Sequence, residues 1–242
     1  MTCPHANAAP SATTDDLYTA SQVERLLDPS HPLAQTLAWV RRFLAKPNQE
    51  LGRPGAVCPF VPGALAQDTI WLTLAPHTQA QRNEIVATVA RFRDRFLTLD
   101  PKDGEDSMSK AILIVFPYLT SADAGLIDDV QLDLKPSFVE HGMMLGEFHE
   151  RNESPGLRNP QFRPLRSPIP MLAIRYMVDS DLPFLHRSIY NPALRADFIR
   201  SYLRRLGTRV SRNTFDAAVS ALVAAEIEQL DAVKIVELIM TR

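Results

Sequence analysis

Cysteine is nearly missing: the 242 residues hold two, Cys3 and Cys58. So few exclude a disulfide framework, and no C-x-x-C pair exists to start a zinc knuckle. An excess of one charge is missing too, with 26 Lys+Arg against 28 Asp+Glu and a net charge of −2. That balance gives no electrostatic footprint for nucleic acid or for an anionic membrane surface. Long apolar runs are absent; the stretch from Ala111 to Leu119 is far too short to cross a bilayer. Residues 1–14 carry no Lys, no Arg and no apolar core, so no secretory signal is expected and a reducing cytoplasm is the expected compartment. Glycine is scarce as well, 9 against 19 prolines, which predicts long, stiffened connections between regular elements.

What is present is an ordinary folding composition, 45% hydrophobic and 22% charged. The pattern divides the chain into an unstructured tail at 1–14, an α+β domain at 15–206, and a C-terminal helix at 207–242 that could serve as an interaction element. A helix is predicted from Thr14 up to the Asp28-Pro29 stop, and a second from Leu33 to Ala45. Leu51–Ala66 reads as an ordered loop. Asp68–Leu74 and Lys110–Phe116 read as buried strands joined by a helix over His77–Leu97, a βαβ unit with parallel strands. A helical stretch from Ser121 breaks near Pro136. Gly142–His149 and Met171–Val178 read as two more strands joined by a long loop, and Asp181–His186, Pro192–Leu206 and Asn213–Met240 as helices. The fold class is therefore α+β: a mixed central sheet of four or more strands, helices packed on it, and a C-terminal helical extension through which a homodimer could form.

Two segments could carry chemistry. In Arg53-Pro54-Gly55-Ala56-Val57-Cys58-Pro59-Phe60, Cys58 is open to four readings: a small buried hydrophobe, a nucleophile, a redox thiol or a metal ligand. The last three need a lowered pKa, for which Arg53 is the nearest cation in sequence. The second segment is Gly146-Glu147-Phe148-His149 with the loop ERNESPGLRNPQFRPLRSPIP. Its prolines hold a defined shape, and Arg151, Arg158, Arg163 and Arg166 form either a receptor for a carboxylate or phosphate, or bridges to loop carbonyls and surface acids. Glu147 and His149 share one face of the strand. His149 is open to three readings: part of a metal site with His141, His77 or His186, an axial haem ligand, or a strand-end histidine bonded to a carbonyl. Trp71, Phe116 and Phe148 are candidate pocket walls. Met143, Met144, Met171 and Met177 read as core filler, and Arg200, Arg204, Arg205, Arg209 and Arg212 as a solvated helix face. No phosphate loop, nucleophile elbow or dinucleotide fingerprint is present.

On these residues, LGRPGAVCPFVPGAL and MLGEFHERNESPGLRNPQFRPLRSPIPMLAIRYMVDSDLPFL resemble a family of bacterial proteins that recurs in secondary-metabolite gene clusters. More distantly, the order of parts is similar to the YqcI/YcgG family: a proline–cysteine–aromatic segment, a strand ending in Phe-Pro, and a strand ending in His before a Pro/Arg-rich loop. Some members of that family are haem-dependent enzymes that oxygenate amine nitrogen in amino acids. The resemblance places Cys58, Phe116-Pro117, His149 and the Arg158–Arg166 loop on corresponding parts. It implies a haem-dependent oxidoreductase acting on a small amine or amino-acid-like substrate that carries a carboxylate. His149 would be the axial ligand to the iron, with Cys58 its competitor. Arg158 and Arg163 would bind the cofactor, and Arg166 and Glu147 would take catalytic parts. The alternatives are a cofactor-free or non-haem-metal enzyme built on Glu147 and His149, and a non-catalytic partner of a biosynthetic enzyme.

Overall fold

The structure, a computed structural model, describes residues 16–207 and 209–240, the side chains of 232–240 excepted. The tail expected at 1–14, with Cys3, lies outside the described residues. Five strands, β1 (Tyr18–Thr19), β2 (Ile70–Leu74), β3 (Ala111–Val115), β4 (Met143–Phe148) and β5 (Met171–Tyr176), form one mixed sheet in the order β1-β2-β3-β5-β4. β2 and β3 are parallel, and α4 (Arg82–Thr98) crosses between them, as the βαβ pattern requires. β4 and β5 pair antiparallel from Met143↔Tyr176 to Phe148↔Met171, closed by the long proline-rich loop.

The sheet is covered on both sides because its central strands are apolar on both faces. Ile112, Ile114, Leu145, Leu172 and Ile174 meet Ile85, Val89, Phe92 and Phe96 of α4 and Ile127, Val130, Leu134 and Phe138 of α5 (Ala124–Glu140). On the other side Leu72, Leu113, Val115 and Met171 meet Val23 of α1 (Ala20–Leu26), Leu33 and Leu37 of α2 (Pro32–Trp39), and Ala64 of α3 (Val61–Ala66). A third cluster joins α6 (Leu182–Leu185), α7 (Pro192–Leu206) and the first half of α8 (Arg212–Met240) through Leu185, Phe198, Tyr202 and Ala218. Met143, Met144, Met171 and Met177 are buried, as core filler should be.

Several boundaries depart from the pattern. The first helix starts at Ala20, because Thr19 and Gln22 exchange capping bonds (Gln22 N donates to Thr19 Oγ1 at 3.3 Å, Thr19 N to Gln22 Oε1 at 2.8 Å), leaving Tyr18–Thr19 free to pair with β2. The second helix gives way to a π-turn at Val40–Leu44, where Ala45 N reaches Val40 O at 2.9 Å. The segment read as loop at Leu51–Ala66 contains α3, which carries Pro62 in its first turn. No break occurs at Pro136. α5 runs through it, and the carbonyl that loses its donor belongs to Leu132, on the solvent side.

Candidate functional site

β4 is an edge strand, and its C-terminal half turns polar just where α5 lies against it. Strand alternation sends Leu145, Glu147 and His149 toward α5. On α5, Asp128, Gln131 and Lys135 follow one another at three- and four-residue spacing, so they line one side of the helix. Gln131 and Asp128 bond to the strand and its end, and Lys135 acts on it through charge. Gln131 Nε2 donates to Leu145 O at 2.9 Å, capping a carbonyl at the sheet edge. Asp128 Oδ1 lies 2.9 Å from His149 Nε2. Lys135 Nζ donates to Tyr190 Oη at 2.6 Å and Phe184 O at 3.0 Å, with its charge acting on Glu147. His149 is 2% exposed, its backbone held by Leu165 and Ser167 of the loop, and its Nδ1 is buried without a hydrogen-bond partner. A carboxylate can only accept, so Nε2–H is the donor to Asp128, and Nδ1 faces the protein interior.

The electrostatics separate the groups. Burial pushes the Glu147 carboxyl above its ordinary value, and the Asp128 charge adds to the push; Lys135 and Arg187 oppose it. Burial lowers Lys135 from 10.5 to about 8. Burial also raises the Tyr190 hydroxyl. Glu147 is only half-buried, and the Asp128 side chain is 45% exposed, so two carboxyl groups of unlike surroundings meet solvent beside an enclosed imidazole. Ser154 Oγ stands 3.5 Å from Glu147 Oε1, and exposed Arg187 is near enough for its charge to act on Glu147, Lys135 and Tyr190.

The structure thus brings Glu147 and His149 together and adds Asp128, Lys135, Tyr190 and Arg187, none of which the sequence reading named. Polar residues recurring at 128, 131 and 135 inside an otherwise buried stripe were the available signal. Cys58 does not join them. It lies in the cluster on the opposite side of the sheet, and Arg53 spends its guanidinium on Pro54 O and Val57 O at 3.0 and 3.1 Å. Trp71 and Phe116 pack on the α4–α5 side but Phe148 on the other, against Trp39 at 6.0 Å, so the three do not wall one hollow. His141 bonds to Ser137 O at 2.7 Å and His77 to Thr88 at 3.0 Å. Among the described residues no group of three or more His, Cys, Asp or Glu could hold a metal ion. An axial haem ligand needs a free nitrogen facing a hollow. Here Nε2 is paired with Asp128 and Nδ1 is walled in by protein, so these residues as arranged do not fit that group.

The arginines of the loop turn to one another's neighbours. Arg163 Nε donates to Glu153 Oε2 at 3.0 Å, and Arg166 also binds Glu153. Arg158 is exposed, with its backbone against Gly52. Gly52 has φ +74°, and a Cβ there would come within 3.2 Å of Arg158 Cβ, so the absence of a side chain lets the two motif segments touch. Asn159 Nδ2 ties them further, to Glu50 O at 2.7 Å. Between them lies a cleft of about 300 Å³ lined by Phe43, Asn48, Glu50, Gln161, Phe162, Arg163 and Arg166. A smaller one of about 200 Å³ lies between Gly142 and Arg205. Neither touches His149. Of the arginine run on α7 and beyond, Arg200 pairs with Asp197 and Glu226, Arg212 with Asp216, and Arg205 stacks over Tyr176. Among the described residues no helix is long and apolar enough to cross a membrane.

The chain matches a family model described as a domain of unknown function (DUF6875) over residues 33–217. No curated protein and no solved structure matches the chain.

Proposed function

From the premise that the chain belongs to the DUF6875 family, we propose that it is a cytoplasmic enzyme working on a small carboxylate-bearing molecule by general acid–base chemistry, without a resident cofactor. The observation that carries this reading is the pairing of two unlike carboxyl groups at the solvent edge of β4. Glu147 is desolvated and retains its proton above the ordinary range, whereas Asp128 accepts the His149 N–H. A carboxyl whose burial favours its protonated form, beside a second carboxyl that holds an imidazole N–H, is the kind of grouping that acid–base chemistry uses. Glu147 donates or takes the proton at the substrate, Asp128 takes the complementary step, and His149 is a positioning residue that holds Asp128 from within the fold. Exposed Arg187 supplies the cation that draws an anionic substrate to this edge.

Self-association through α8 belongs to the same proposal. Phe215, Val219, Val223, Ile227 and Leu230 line up along its outer side, 37% to 59% exposed.

The test is turnover of a panel of small carbon acids and esters bearing a carboxylate, by protein shown free of metal and haem. Glu147→Gln is expected to lower the rate about 10²–10⁴-fold, the usual worth of a positioned acid or base. A purified protein with an intense band near ~400 nm, the haem region, which disappears in His149→Ala, would overturn this reading in favour of the oxygenase that the sequence resemblance implies.

A further inference from the structure

Two arginines that line the cleft between the two motif segments already hold a carboxylate of the protein itself, which stands beside the cleft. Arg163 and Arg166 both turn their guanidinium groups to Glu153, whose side chain is 69% exposed and stands in the loop rather than in the core. Neither arginine depends on Glu153 for its position. Arg163 Nη1 also donates to Pro160 O at 2.6 Å and Phe162 O at 3.3 Å, and Arg166 Nε to Asn152 O at 3.1 Å. Asn152, only 2% exposed, is fixed in turn by its own bonds to His149 O at 3.2 Å and Glu147 O at 3.4 Å. With prolines at 155, 160, 164, 168 and 170, the loop holds its shape whether or not Glu153 is in place. The rest of the lining sets two aromatic rings beside Asn48, Gln161 and one carboxylate, Glu50. Phe43 and Phe162 meet at 6.1 Å between ring centroids with planes 46° apart, and Phe43 is itself stacked on Trp39 at 5.5 Å.

We infer that this cleft is a binding site for a small planar carboxylate, in which the ligand's carboxyl replaces Glu153 on Arg163 and Arg166 and its flat apolar part lies along Phe43 and Phe162. Three features argue together. Paired guanidinium groups held by carbonyls present preformed forks to a carboxylate, so little ordering remains to be done on binding. Glu153 shows by occupying them that the geometry accepts such a group, and an exposed surface partner is easily displaced. The volume of about 300 Å³ is at the lower end of what small-molecule sites enclose, which limits the ligand to about one ring. The inference does not rest on the acid–base reading of Glu147 and Asp128: the residues that hold the ligand are different ones.

The experiment is titration calorimetry of the full chain with benzoate, and with benzamide as its neutral isostere. Benzoate is expected to bind one to one and benzamide at least about tenfold more weakly, the scale of a lost charge-assisted bond pair. Glu153→Gln, which vacates the arginines, should tighten benzoate by about threefold or more. Arg166→Gln should weaken it by about tenfold or more. If that variant does not fold, Arg163→Gln, which removes the other guanidinium, gives the same reading. Glu147→Gln should leave the affinity unchanged, which separates this site from the proposed acid–base centre. Equal affinity for benzoate and benzamide, or no gain in Glu153→Gln, overturns the inference. A loss of affinity in Glu147→Gln with none in the arginine variants overturns it as well, by moving the carboxylate to β4.

Discussion

At the scale of single residues, the structure depends on two lysines kept out of water. Lys110 is fully buried, donating to Phe96 O and Leu99 O at 2.9 and 2.8 Å at the end of α4, and Lys135 donates to Tyr190 and Phe184 O. Burial lowers both from 10.5 to about 8. The unfolded chain therefore binds more protons than the folded one between about pH 8 and 10.5. Stability from these groups must rise as pH climbs through that window, because the buried ammonium is lost where it was costly. Chemical denaturation of the wild type is predicted to show this rise, flattened in a Lys110→Met, Lys135→Met double variant; a slope that survives both substitutions contradicts it. Glu147 has the opposite sign: its raised folded value means that stability falls as pH rises from the ordinary carboxyl range through the raised one. Of these residues, only Glu147 and His149 were legible in the sequence, through the two-residue period of a strand. Asp128 and Lys135 reach them only because α5 lies against the sheet edge, and that packing leaves no mark near residue 147.

At the scale of elements, strands were easier to read than helix ends. The continuous apolar run at Ala111–Val115 and the paired runs at 143–148 and 171–176 could bury themselves only in a covered sheet, and all three are strands. Helix starts depended on local capping chemistry at Thr19 and Thr78, which periodicity does not weigh. Pro136 was read by its usual effect, but a helix can carry proline when the orphaned carbonyl faces water. On α8, Ala218 and Ala225 are buried, and Arg195–Glu228 and Arg200–Glu226 pairs clamp the helix to α7. The outer stripe takes no part in this. Val223→Asp with Ile227→Asp, at positions 51% and 53% exposed, is therefore predicted to leave the fold of the single chain intact by circular dichroism, while Ala218→Leu on the inner side costs about 1–3 kcal/mol. Sedimentation of the same samples reads the proposed self-association. Wild type is expected above the monomer mass of 27.1 kDa and the charged variant at it; a wild-type monomer contradicts the proposal.

At the scale of the whole molecule, the mixed sheet works as a partition. Glu147, His149 and the α5 ladder stand on one side, and Cys58, Phe43 and the arginine cleft on the other. The family resemblance puts Cys58 and His149 in one site, as competitors for one iron; in the fold they stand on opposite sides of the sheet. What still joins the two sides is buried Asn152, bonded to the strand that carries Glu147 and to the arginine that faces the cleft. The α+β class and the long-loop hairpin were therefore readable from pattern, but the sidedness of the chemistry needed coordinates.

The most direct test is a carbon-13 NMR titration of the Glu147 carboxyl in wild type and in Asp128→Asn. The acid–base account predicts that Glu147 titrates above the ordinary 4.5 and moves down when the Asp128 charge is removed. A Glu147 that titrates at or below 4.5, or that ignores the substitution, contradicts it.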